Sequence, residues 1–367
     1  MSEDVDEIAR VSTLELFFDL VFVFAVTQLA SILVEHPSWT GAAQGLVELM
    51  VVYWMYGGYA WLTNGIGAGS GPRRVAVLLG MAAFLVVSLA VPRAFSSDEL
   101  VFGYAYLLLT LLHLGSFVIF SPGVTLRGLA TLGSANLTAA GLVLAASYVH
   151  GAAHWPLWIG AVAVQWGPPT LAGTVGAFTI GVQHFAERHA LMILIVLGES
   201  LVSVAAAAQS HTVSAHLIIG ALCGLAASAA MWWAYFDCED DAGAEALGRR
   251  PSERRGLVAL VGYDLTHLLM MAGVVAIAAG SRLSLPDLTR AGERPSAWFI
   301  AGGASLFFAA LAGFRFVLGS GRPWPRAIAA LALLATAPLG TRFSTAVELT
   351  GIAVVIVAVL AVERMVE

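Results

Sequence analysis

The chain has 367 residues, of which 59% are hydrophobic and only 11% charged, with a mean hydropathy of +0.84. Soluble domains run near 45 to 50% apolar and about 25% charged, so this balance excludes them and points to an all-α, polytopic membrane protein. The formal net charge is −6 and all 18 cationic side chains are arginine, so a lysine Schiff base, with the retinal or pyridoxal chemistry built on one, is excluded.

The opening MSEDVDEIAR is acidic and lacks the basic n-region of a cleavable signal peptide, so residues 1–12 are expected to stay as a cytoplasmic segment ahead of a retained first helix. The first long apolar stretch, TLELFFDLVFVFAVTQLASIL (13–33), has the roughly 20 residues a spanning helix needs. It nevertheless carries Glu15 and Asp19 at i and i+4, hence on one face, and Gln28 in its second half. An aspartate inside a span costs about 2.5 to 3.5 kcal/mol on insertion scales, so such residues face the protein interior and mark a functional candidate.

Apolar runs and their polar or Pro/Gly interruptions predict about twelve spans, at 13–35, 40–64, 73–95, 98–121, 127–149, 154–178, 184–208, 213–236, 256–280, 296–318, 324–341 and 345–363. Trp166-Gly167-Pro168-Pro169 should kink or divide the sixth, and the eleventh is short. With the N-terminus inside, arginines concentrate in the cytoplasmic loops, above all the cluster from Arg249 to Arg255, which puts both termini in the cytoplasm and 237–255 in a cytoplasmic loop. The chain is expected in the bacterial cytoplasmic (inner) membrane.

Aligning Glu15 with Glu187 sets ELFFDLVFVFAVTQL against ERHALMILIVLGESL, with Thr27-Gln28-Leu29 opposite Glu199-Ser200-Leu201. Residues 13–178 and 184–363 therefore read as two parallel six-helix repeats. In the seventh span His184, Glu187, Arg188 and His189 occupy the first two turns, and Glu199 sits about 18 Å further in, a proton or cation site expected near Asp19 and Gln28. In the ninth, Asp264 and His267 are three apart on one face beside Tyr263, a spacing suited to a proton relay or ion contact. The aromatics from Tyr53 to Trp61 read as packing and an interfacial belt.

No phosphate loop with its lysine, G-x-S-x-G elbow or HExxH occurs, so ATP-driven transport and the commoner hydrolase chemistries lack support. No cofactor, metal or nucleic-acid partner is expected. TLELFFDLVFVFAVTQLA followed by HFAERHALMILIVLGESLVSV resembles the bacterial low temperature requirement A family across essentially the whole chain. That resemblance implies a multi-pass membrane protein associated by name with growth in the cold, and no settled activity. The first helix is also similar to that of potassium channels built from six-helix repeats, where Phe-Ser-Asp opens a pore-lining helix; here Phe17-Phe18-Asp19 lacks the serine, and Leu191 stands where the second aspartate would be. This second resemblance implies a homodimer with a pseudo-fourfold pore constricted near Phe24 and Val196.

The leading expectation is a transporter or channel for a small ion or solute. Its pathway groups would be Asp19, Glu199 and Asp264, with Glu15, Gln28, Glu187, Arg188, His189 and His267 as partners. The alternatives are an intramembrane, lipid-directed enzyme with His189 or His267 as base, and a non-catalytic cold or stress factor.

Overall fold

The computed structural model describes all residues except 1–10, 67–70, 122–125, 150, 173–179, 210, 211, 238, 286 and 367, so the acidic N-terminal segment lies outside the described residues. Among those described there is no strand. The helices are α1 (Thr13–Glu35), α2 (Trp39–Ile66), α3 (Gly71–Ala90), α4 (Glu99–Phe120), α5 (Leu126–Ala146), α6 (His154–Ala172) and α7 (Val182–Ala208). They continue with α8 (Ala215–Phe236), α9 (Glu239–Gly248), α10 (Ser252–Leu283), α11 (Arg294–Leu318), α12 (Trp324–Leu334), α13 (Ala337–Arg342) and α14 (Thr345–Val366).

Every one of the twelve expected spans falls on helix, but among the described residues only eight helices are long and apolar enough to cross a membrane. The difference has local causes. The 28-residue α2 is rich in Tyr, Trp and Gly, whose transfer free energies are modest, and its Tyr53, Tyr56 and Tyr59 are fully buried. The expected eleventh span is cut at Ala335-Thr336 into helices of 11 and six residues, while α6 runs through Pro168 and Pro169 and residues 173–178 of the expected sixth span lie outside the described residues. The expected loop 237–255 contains α9, whose first turn holds Glu239, Asp240 and Asp241, the sign that complements a helix N-terminus.

The chain divides into two compact units. Unit 1 comprises residues up to Leu29, Ala43–His189 and Leu247–Asp264. Within it α3, α4, α5 and α6 pack in sequence order. An aromatic seam joins α1 to α2 and α3: Phe22 stacks on Tyr56 (4.2 Å between centroids), Phe18 on Tyr59 (5.0 Å), and Phe84 meets Phe18 edge-on. Lipid is as apolar as these rings, so the seam holds through close packing rather than escape from water. The side of α1 that bears Glu15 and Asp19 is buried, while Phe17 and Leu20 are exposed.

Unit 2 comprises Ala30–Ala42, Ala190–Ala246 and Leu265–Glu367. Here α10 and α11 approach most closely at Gly273 and Gly303, where a Cβ on either glycine would strike the carbonyl oxygen of the other. Such contact needs small residues on both helices. A charged network closes one end: Arg315 pairs with Glu239 (2.7 Å) and Glu363 (2.8 Å), and Arg326 pairs with the same two carboxylates (3.3 and 3.0 Å). Replacing Gly303 by leucine should force these backbones apart and cost about 1–3 kcal/mol or more; a fall in the melting temperature of detergent-solubilised protein, against a silent Gly302→Leu control whose added Cβ meets nothing, checks this.

Candidate functional site

The chain enters α1 through a capping box. Ser12 Oγ accepts from the Glu15 amide (3.3 Å), while Glu15 Oε2 accepts from the Ser12 amide (2.9 Å) and hydroxyl (2.8 Å). Helix initiation thereby fixes the first carboxylate of the site. One turn on, Asp19 is wholly buried, and both residues meet a single cation: Arg188 on α7 donates Nη1 to Glu15 (3.2 Å) and Nη2 to Asp19 (3.0 Å). Nη1 also bonds the Thr63 hydroxyl. The guanidinium lies 5.5 Å from the Tyr56 ring centroid and 5.9 Å from that of Phe18, a geometry in which aromatic faces help replace lost hydration.

The hydrogen-bond pattern assigns protons. Asn64 Oδ1 accepts from the Gly181 amide (2.9 Å) and its Nδ2 donates to the Gly181 carbonyl (3.0 Å), so the amide cannot be flipped. That Nδ2 also faces His184 Nδ1 at 3.0 Å. Nδ1 must then accept, which leaves the ring proton on Nε2, where it is donated to Glu15 Oε2 (3.1 Å). His184 is therefore neutral. Glu15 receives donors at both oxygens and is held as a carboxylate. With Asp19 ionised, the cluster of Glu15, Asp19 and Arg188 sums to −1; with a proton on Asp19 it is neutral. Asp19 Oδ1 accepts from Tyr56 (2.9 Å) and Arg188, whereas the buried Oδ2 makes no hydrogen bond among the described residues.

A second group sits one residue along α7. His189 Nδ1 lies 2.8 Å from the Phe185 carbonyl and Nε2 lies 3.2 Å from Asp264 Oδ1. Each ring nitrogen thus faces an oxygen, a carbonyl on one side and the carboxyl of Asp264 on the other. Asp264 Oδ2 accepts from Trp61 Nε1 (2.9 Å). Asp264 sits in a π turn, Leu260–Leu265. Within unit 2, His267 bonds the Tyr235 hydroxyl (2.8 Å).

The remaining expected residues fall as follows. Glu187 is half-buried and accepts from the Val11 amide (3.4 Å). Gln28 and Phe24 are half-buried on α1, and Glu199 is half-buried in unit 2 rather than deep in a core. Val196 is 1% exposed, packed in the core of its own unit, so it has no surface with which to line a pore against a second copy. Tyr56, Thr63 and Asn64 were not anticipated as polar partners, and the Ser12-x-x-Glu15 capping signature was the available clue to the first of the carboxylates.

The sequence matches the bacterial low temperature requirement A protein (LtrA) family over residues 10–362. The chain belongs to that family. A protein of Rhizobium meliloti (strain 1021), described as uncharacterized, is similar to this LtrA chain at 27% identity over 379 residues, covering 97% of this chain and 90% of its own length. No solved structure matches. The likeness of α1 to potassium channels finds no support in these matches.

Removing the shared cation of this LtrA protein tests the cluster directly. Arg188→Met leaves Glu15 and Asp19 buried and uncompensated, and should cost about 3–5 kcal/mol. Adding Asp19→Asn to Arg188→Met removes one of those charges, so the double variant should recover part of the loss; melting curves of the three proteins in one detergent give the comparison.

Proposed function

We propose that this LtrA protein is a transporter of the bacterial cytoplasmic membrane, coupling movement of a small ion or solute to protonation of Asp19. The observation that carries the reading is the buried, unpartnered Oδ2 of Asp19 in a cluster whose other members have settled charges. Ionised Asp19 leaves the cluster at −1 in a low-dielectric surrounding, and a single proton at Oδ2 neutralises it. Buried ion clusters are poor sources of stability, since desolvation offsets most of the Coulomb gain. Intramembrane ionisable groups that persist despite that cost commonly lie on ion and proton pathways.

Arg188 would sense the change. With Asp19 protonated its attraction falls mainly on Glu15, and with Asp19 ionised it is divided between the two. The adjacent His189–Asp264 pair offers a second place for a proton on the same helix. Alternation between these states supplies a two-state element that a solute gradient can bias. The parallel-repeat arrangement and cytoplasmic termini belong to the same proposal.

Proteoliposomes with an internal pH indicator test it. Imposed gradients of potassium, sodium or a small organic cation should move protons through the wild type, and Asp19→Asn should abolish that movement while keeping a wild-type melting temperature. Proton movement that survives in Asp19→Asn, or none under any gradient, would overturn the assignment.

A further inference from the structure

Unit 1 contains a cavity of about 80 Å3, room for about five to eight water-sized groups. Five aromatic side chains line it: Tyr53, Trp54 and Trp61 from α2, Phe117 from α4 and Trp166 from α6. The three indole N–H groups are already committed, Trp54 to Asn136 Oδ1 (2.8 Å), Trp61 to Asp264 Oδ2 (2.9 Å) and Trp166 to the Met50 carbonyl (3.3 Å). What the three indoles have left to offer is therefore their π surface and not a donor. The carboxylate of Asp264 forms part of the same wall.

We infer that this cavity is a binding site for a compact methylated ammonium ion, held by the aromatic walls and by Asp264. An anion is refused by Asp264, beside which no lysine or arginine lines the cavity. A bare metal cation would need several oxygen ligands, and no cluster of three or more metal-ligating side chains exists among the described residues. A methylated ammonium requires neither, because ring faces stand in for its hydration shell and one carboxylate balances its charge. Asp264 has capacity left, since each oxygen meets one partner among the described residues, His189 at Oδ1 and Trp61 at Oδ2, and a carboxylate oxygen offers two lone pairs.

Two further features fit. His113, 4% exposed, also lines the cavity and adds a ring face to its wall. Gly57 and Gly58 keep the α2 side open. A Cβ at 57 would stand 3.3 Å from Asp264 Oδ1, and one at 58 would stand 2.9 Å from His113 Nε2. As a substrate site this rests on the transport reading above, to which it adds the class of solute; as a binding site it stands alone.

Isothermal titration of the full-length protein in lipid nanodiscs decides it, with choline as the probe and its neutral carbon isostere 3,3-dimethylbutan-1-ol as the control. Choline should bind at least tenfold more tightly than the isostere, and Asp264→Asn and Trp166→Leu should each weaken it tenfold or more. Phe117→Leu, which keeps an apolar wall and removes only a π face, covers the case in which the first two variants fail to fold, and should also weaken choline selectively. Equal binding of choline and isostere, or no choline binding by folded wild type, overturns the site. Choline binding without choline-driven proton movement in the proteoliposomes would uphold the site and retire transport; proton movement under another gradient without choline binding would do the reverse.

Discussion

Arg188 is the residue on which the organisation of unit 1 turns. Its guanidinium reaches two carboxylates one helical turn apart on α1, a hydroxyl on α2 and two aromatic faces. A planar fork with several fixed donors can do this, and a lysine ammonium cannot. The arrangement dictates the polarity of α1, which buries its charged side and shows lipid its phenylalanine and leucine. It also explains why α2 is rich in tyrosine and tryptophan: these residues combine apolar bulk with one polar atom, and here those atoms serve Asp19 through Tyr56 and Asp264 through Trp61.

The two units use buried charge differently. In unit 2 two arginines face two glutamates, each arginine touching both, so the network is balanced and every carboxylate is shared. Balance of that kind suits a clamp between α9, α11, α12 and α14. Unit 1 instead sets one arginine against two carboxylates and surrounds them with groups that cannot supply the missing charge, a neutral His184, a tyrosine, a threonine and an amide. An uneven count leaves the cluster with a net charge of −1 while both carboxyls are ionised.

Much of this was legible in the sequence, for identifiable reasons. Composition sufficed for the membrane class, because 59% apolar residues have no other home. The i, i+4 spacing of Glu15 and Asp19 placed them on one face, and the local run from His184 to His189 gathered charged and imidazole groups at the head of one helix. Pairings across long separations were not legible: Asn64 with Gly181 and His184, or Trp61 with Asp264, depend on which helices become neighbours. Nor was the π turn at Leu260–Leu265 legible, since an uninterrupted α-helical period is the natural reading of an apolar run. Hydropathy alone passes over α2, whose tyrosines and tryptophans add little to it, whereas its long uncharged run marks it as a span.

The π turn has a topological consequence of its own. A wide turn accommodates one residue more than a regular helix would over the same rise, so α10 behaves as two α-helical pieces whose angular registers are offset. Each residue of a regular helix advances the side chains by about 100°. Excising a single residue between 260 and 264 would turn Asp264 by roughly that angle relative to the Ser252–Ala259 stretch before it. The carboxylate that now faces Trp61 and His189 thus owes its bearing to an insertion in the backbone, and helix phase, as much as side-chain identity, is the variable that defines this site.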